Sequence, residues 1–456
     1  MAIKNSSFRD AVRDYCVAVL GVVSKQSSQM GGPPLAPRQR FTIEAFNRYS
    51  MRFVQEIEWF AMHDIIERAL NGENVETHLL QTIQADPRIA RHFDTLIGTS
   101  EGSTIFDFPM FLRSMNILLW ENQQLGSKQR HNLNEAAFNT MYEQIENSFY
   151  SDLFTFRCFA PVERFQMEEE RIELDTNFSI TRFPDKDRQH ILEASALFGQ
   201  SNRRTVANEN IFEAFVEVPK LLGAINTTPS ESGPNKMARQ QFDAACEALR
   251  LFQQGAVGFN DIWLQNTTWV LDTGTHIRGR SEPILFRGTP YFLTSAEKLQ
   301  FERFWINYRQ AKQVGRASLN LALRRFEIGY QRSMPEDKLI DYMIAFEALL
   351  LGKDVQQELS YRLSLRGATL LGSTPEDRKI IFEQLNLGYK ERSKIVHGGS
   401  TKDTVKVAGA ELTFGDFVVT IEDRLRSTIK EFLSRANKQS EAQMLKELDK
   451  IILTGP

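Results

Sequence analysis

Thr413-Phe414-Gly415-Asp416 precedes a run in which Phe417, Ile421, Leu425, Ile429 and Phe432 recur every three or four residues. That period lines the apolar side chains along one stripe of a helix, and the threonine with an acid three positions on supplies its N-terminal cap. The same texture runs back to Ser295. Ala296–Tyr330 reads as one long helix carrying Leu299, Phe304, Trp305, Leu319, Leu323 and Phe326. Asp337–Leu351 puts Leu339, Met343, Phe346 and Leu350 on one stripe, with Ile340, Ile344 and Glu347 beside it. Val355–Leu371 follows with Leu359, Leu363 and Leu370, and Thr374-Pro375-Glu376-Asp377 caps a fourth helix expected to break at Asn386-Leu387-Gly388. A helical tail spans Met444–Leu453. Residues 295–456 are therefore expected to be helical throughout.

The preceding chain is less regular. Residues 1–150 read as mainly helical, beginning with Lys4, Arg9 and Arg13 ahead of the apolar Val17–Val23. Asp10, Asp14 and the shortness of that run favour an amphipathic helix over a signal sequence. Ser27–Pro37 reads as a loop, Ile43–Leu70 as a helix stopped by Asn71-Gly72, and Val75–Gln84, Phe108–Gln124 and Leu133–Phe149 as further helices. Residues 151–294 read as mixed α+β. Phe154, Phe156, Phe159, Ile172, Leu174, Phe178 and Ile180 alternate with polar neighbours as strands do, and Ile211–Val218 is another strand candidate. Thr227–Pro234 is a loop, Lys236–Gln253 a helix, and Trp269–Leu271 and Pro283–Phe286 are closing strands. The fold class is thus mainly α, with three successive regions.

Composition narrows the function. The chain has 456 residues, 42% hydrophobic and 25% charged, enough core for two or three domains. A net charge of -3 argues against non-specific coating of nucleic acid while leaving room for local basic surfaces. Cys16, Cys158 and Cys246 are scattered singly, which disfavours a zinc site or a disulfide framework and suits a reducing cytoplasm. No apolar run approaches the ~18 residues of a membrane span. No phosphate-binding glycine loop is present, and His63, His78, His92, His131, His190 and His276 lack metal-ligand spacing, so neither nucleotide hydrolysis nor a cofactor is expected.

One segment departs from fold-building. In Tyr389-Lys390-Glu391-Arg392-Ser393-Lys394-Ile395-Val396-His397-Gly398-Gly399 an arginine and a histidine flank an apolar pair just before two glycines. A guanidinium is a planar fork of donors matched to phosphate oxygens, and an imidazole exchanges protons near neutrality. Positions five apart on a regular helix lie about 140° apart, so the two share a face only if the last turn is distorted, which Gly398-Gly399 permit.

Three ordered blocks, Asp337–Leu350, Tyr361-Arg362-Leu363-Ser364-Leu365-Arg366-Gly367-Ala368 and Tyr389–Gly399, resemble the HEPN superfamily, and within it the ApeA-like branch. The resemblance covers about a third of the chain, from Ser295 to Lys438; the rest resembles nothing recognised. It implies a helical bundle that dimerises and cuts RNA without a metal through an Arg-x4-6-His motif, here Arg392 and His397. Many members carry asparagine or aspartate directly after the arginine, where this chain has Ser393. Members often serve bacterial phage defence or toxin modules, which casts residues 1–294 as a sensor for an activating ligand or protein.

Each candidate has two readings. His397 is general base or acid, or simply part of a helix C-cap. Arg392 holds the phosphate as charge grows on it. Glu347, emerging beside apolar neighbours, orients Arg392 or Arg366 near the cleft or belongs to an ordinary core ion pair. Arg362 and Arg366, four apart, extend a phosphate surface, or Arg362 pairs with Glu358. Lys394 and Tyr389 are candidate RNA contacts. Arg303, Arg309, Arg316, Arg324 and Arg325, interleaved with Trp305 and Phe326, form an RNA-binding face or a solvated face around a core stripe. One histidine per chain cannot easily be acid and base at once, so a homodimer is chemically attractive. The alternative function is a catalytically silent RNA-binding or scaffold bundle.

Overall fold

The computed structural model describes residues 3–29, 35–44, 48–57, 59–71, 73–99, 102–123, 132–197, 206–223, 233–271, 275–278, 289–352 and 357–454. Helices predominate, with several small sheets. The chain gathers into two interleaved compact units: 1–163, 175–242 and 259–281 make one, and 164–174, 243–258 and 282–456 make the other. The three regions of the sequence reading run consecutively, whereas these units exchange segments.

In the first unit, helix Ser6–Gln29 packs with Asn74–Ala85 and meets Phe108–Gln123 and Glu135–Tyr150. Phe8, Phe111, Phe138 and Phe149 are fully buried where these helices converge. Successive strands of its sheet are Thr275–Arg278, Ile262–Asn266, Leu153–Pro161, Asn210–Pro219 and Phe178–Arg182, all antiparallel. One face packs Phe212 on Phe242, centroids 5.5 Å apart. The other holds Arg157, whose guanidinium meets Glu213 at 2.7 Å and Asp187 at 2.7 Å. His92, fully buried, stacks on Trp269 at 5.7 Å with the Lys220 ammonium 3.5 Å from its Nε2.

The helix expected over Ile43–Leu70 is corrected. Leu35–Glu44 and Arg48–Ile57 form an antiparallel hairpin, and the helix covers only Trp59–Leu70. Tyr49, Met51 and Phe53 alternate with Arg48, Ser50 and Arg52, a period of two inside the looser helical spacing. The register sets Phe41 opposite Met51 and Ile43 opposite Tyr49. Thr95–Thr99 and Gly102–Phe106 form a further pair of strands, so residues 1–150 are less helical than expected. Trp269–Leu271 is not a strand, and Val270–Leu271 form a turn, because Asn266 Oδ1 accepts from the Thr268 and Trp269 amides and ends the preceding strand. Pro283–Phe286 and most of Thr227–Pro234 lie outside the described residues.

The second unit holds the bundle. The single helix expected over Ala296–Tyr330 is two, Ser295–Val314 and Ala317–Gln331, because Gly315 ends the first in a left-handed conformation at φ 69°. Leu299, placed on the apolar stripe by its spacing, is 62% exposed. Pro335–Leu350, Leu359–Leu371, Pro375–Val396, Phe414–Arg435 and Glu441–Thr454 complete the bundle. Residues 353–356, at the expected start of the third helix, lie outside the description. A hairpin, Thr404–Val407 with Ala410–Thr413, was not anticipated.

The break expected at Asn386-Leu387-Gly388 is absent, and Pro375–Val396 runs uninterrupted. Gly388 serves close approach instead: a Cβ there would lie 3.2 Å from Met343 Sδ and 3.3 Å from Ile421 Cδ1. Leu339, Met343, Phe346, Leu363, Leu385, Phe417, Ile421, Leu425 and Ile429 are buried to completion around that crossing. Polar groups are sunk in the same core. Arg426 donates to the Arg250 carbonyl at 2.8 Å and meets Glu422 at 2.6 Å, while Glu422 accepts from the Tyr342 hydroxyl at 2.6 Å.

Two outcomes follow from these buried charges. Burial first, then the Lys220 charge, push the His92 pKa down to about 4. Between there and the ~6.5 of an unfolded histidine, the unfolded chain binds the extra proton, so stability is complete above that range and falls as pH drops through it. Urea midpoints should decline by the equivalent of about 3 kcal/mol over this window, and His92→Phe should flatten the decline. Arg426→Met, which strands Glu422, should destabilise the second unit by about 3–5 kcal/mol in hydrogen exchange of the Phe414–Arg435 amides, and adding Glu422→Leu should recover part of the loss.

Candidate active site

Pro375–Val396 begins with Thr374, whose hydroxyl accepts from the Asp377 amide at 3.1 Å, with Pro375 at the first helical position. It ends in a cap that uses both glycines. The Gly399 amide donates to the Lys394 carbonyl at 2.8 Å and the Gly398 amide to the Ile395 carbonyl at 3.0 Å, with Gly398 left-handed at φ 80°. This pair of bonds satisfies two carbonyls that a helix end leaves orphaned. His397 occupies the C-cap position at φ -89° and ψ 15°, its amide donating to the Ser393 carbonyl at 3.1 Å, and it is exposed.

Arg392 points elsewhere. Its Nη2 lies 3.7 Å from Glu347 Oε1, on the crossing helix Pro335–Leu350. Both side chains are about one-quarter exposed, and Arg392 Nε is buried without a hydrogen-bond partner. Burial raises the Glu347 pKa, and the charge of Arg392 opposes that rise. Tyr389, one turn earlier, is half-buried; burial and then the Glu347 charge raise its phenol. Among the described residues no hydrogen bond or ion pair joins Arg392 to His397. The distortion that the glycines permit is confined to the cap, so the helix stays regular through Val396 and the two groups keep separate faces.

The remaining candidates divide. Lys394 pairs with Glu391 at 3.7 Å, and Ser393 is half-buried beside Arg392. Arg366 is placed away from this cluster: it is buried, clamped on the Asp449 carboxylate at 2.8 and 2.7 Å, and donates to the Leu350 carbonyl at 2.7 Å. Its donors tie the helix Glu441–Thr454 to the bundle, so of the two arginines that Glu347 was expected to orient, Arg366 is held by Asp449 instead. Arg362 is exposed one turn before it, and its charge reaches Asp449. Arg325 meets the buried Asp341 at 2.8 Å, Arg309 lies 5.5 Å over the Trp305 ring and Arg316 donates to the Ala436 carbonyl, while Arg303 and Arg324 are exposed. The mixture is that of a solvated face with core ties.

Sequence reasoning missed Thr401, whose hydroxyl donates to Glu336 Oε1 at 3.0 Å and anchors the loop beyond the glycines to Pro335–Leu350. Nothing in its spacing marks it. No protein-family model, curated protein or solved structure matches this chain. Among the described residues no group of three or more His, Cys, Asp or Glu side chains is placed to hold a metal ion, and no helix is long and apolar enough to cross a membrane.

The cap gives a direct test. Gly398→Ala places a Cβ in the left-handed region at a cost of roughly 1–2 kcal/mol. Exchange of the Gly399 amide should quicken several-fold while that of the Leu385 amide, mid-helix, stays unchanged.

Proposed function

We propose that the chain is a metal-independent endoribonuclease of HEPN type, in which Arg392 and His397 of two copies cooperate. The observation that carries the reading is the meeting of the first and third sequence blocks: Glu347 lies against Arg392, and Met343 packs on Gly388, the residue just before the third block. The exposed His397 and the 53% exposed Val396 beside it leave the helix end open to a second copy.

In this mechanism an imidazole takes the proton of a ribose 2'-hydroxyl, whose oxygen attacks the adjacent phosphorus. The bond from phosphorus to the 5'-oxygen breaks, and a second, protonated imidazole supplies the proton to that leaving oxygen. The products are a 2',3'-cyclic phosphate and a 5'-hydroxyl. Arg392 stays charged throughout and stabilises the phosphorane oxygens. Because a single chain does not join Arg392 to His397, a two-fold pairing supplies both the second imidazole and a neighbouring guanidinium. Residues 1–294 fit a sensor of an activating ligand or protein, in a cytoplasmic defence or toxin setting.

The same lack of contact favours a second reading, a silent RNA-binding or scaffold protein. Purified chain incubated with mixed RNA should yield 2',3'-cyclic phosphate ends, insensitive to chelator, and overexpression should be toxic. His397→Ala and Arg392→Ala should each lower cleavage by at least ~100-fold with unchanged circular dichroism. Cleavage that survives both substitutions overturns the assignment.

A further inference from the structure

The contact between Glu347 and Arg392 is close enough for attraction and too long for a hydrogen bond, 3.7 Å against the roughly 2.7–3.2 Å of a formed one. Two charges are drawn partly out of water without the geometry that would offset their desolvation. Arg392 is further under-satisfied because its Nε is buried and donates to nothing. Burial raises the Glu347 pKa, and the Arg392 charge opposes part of that rise. Tyr389, on the same helix as Arg392, adds a phenol to the cluster and no positive charge.

A guanidinium in this state has donors unused and a weakly bound anion in front of it. A phosphodiester offers two oxygens at the spacing of the fork, forms short charge-assisted bonds to it, and repels a carboxylate lying alongside. The same site cannot satisfy both anions at full strength.

We propose that Glu347 is an internal competitor that occupies Arg392 in the resting chain and must be displaced by an RNA phosphodiester, so that it sets the affinity of the site; this rests on the ribonuclease reading above. Glu347 acts through Arg392 and is a positioning residue. It differs from an orienting carboxylate in sign, since an orienting group strengthens phosphate binding and a competitor weakens it.

Binding is measured on the full chain with an RNA oligonucleotide carrying 2'-fluoro in place of every 2'-hydroxyl, which binds without being cut. Glu347→Gln, nearly isosteric and uncharged, should bind about fivefold more tightly than the natural chain, the scale of one incompletely buried ion pair. Glu347→Met gives the same test should the glutamine variant fail to fold. Arg392→Ala should bind weakly, and adding Glu347→Gln to it should bring no gain. Equal or weaker binding by the Glu347 variants, with the natural chain binding RNA, overturns the competitor and leaves the ribonuclease reading intact. Absence of RNA binding in every variant overturns both.

Discussion

Arg426 and Lys430, one turn apart on Phe414–Arg435, reach the end of the helix Pro234–Phe252 and take its Arg250 and Phe252 carbonyls at 2.8 and 2.6 Å. A helix end leaves four carbonyls without internal partners, and burying them unsatisfied is costly. Two cations on one stripe remove that cost and bind residues distant in sequence into one core. The same Arg426 also neutralises Glu422, which in turn fixes the Tyr342 hydroxyl on the helix that carries Glu347. The position of Glu347, and through it the setting of Arg392, therefore depends on a charge network that sits well inside the bundle.

Much of the bundle was legible because its signals were local and repeated. The stripe Phe417, Ile421, Leu425, Ile429 and Phe432 is buried throughout, and Thr413 caps its helix as the threonine and Asp416 spacing implies. Ile211–Val218 lies within the strand Asn210–Pro219, and the helix read over Lys236–Gln253 spans Pro234–Phe252. What was misread depended on competition between periods or on partners far along the chain. Met51, Val54 and Ile57 satisfy a helical count, yet Tyr49, Met51 and Phe53 satisfy a count of two, and the facing strand Leu35–Glu44 decided between them. Gly388 carries the chemistry of a breaker, but what it needs is room for Met343 and Ile421, which no local rule contains.

At the site, residue types were legible and pairings were not. Glu347 was readable as a half-buried carboxylate needing a cation, with Arg392 and Arg366 equally eligible. The last helix decided the matter by presenting Asp449 to Arg366, so it is Arg392 that faces Glu347. His397 was readable both as a proton carrier and as a cap residue, and its backbone occupies the cap while its side chain stays exposed. The two descriptions are compatible, because capping uses main-chain atoms and leaves the imidazole uncommitted.

The interleaving of the units carries a consequence for how the chain comes into being. Arg250 belongs to the unit of the bundle, is nearly fully buried, and donates to Val257 while pairing with Glu327. Strand Phe165–Met167 of the same unit pairs with Tyr291–Leu293 more than a hundred residues later. A C-terminal third cut free at Ser295 would lack these pieces of its own core. During synthesis, moreover, the early pieces leave the ribosome before the helices that bury them, and Asp449 follows those helices to claim Arg366. The order of translation thus delays closure of the unit holding Arg392 and His397 until the helix Glu441–Thr454 has been made, whatever chemistry that unit performs.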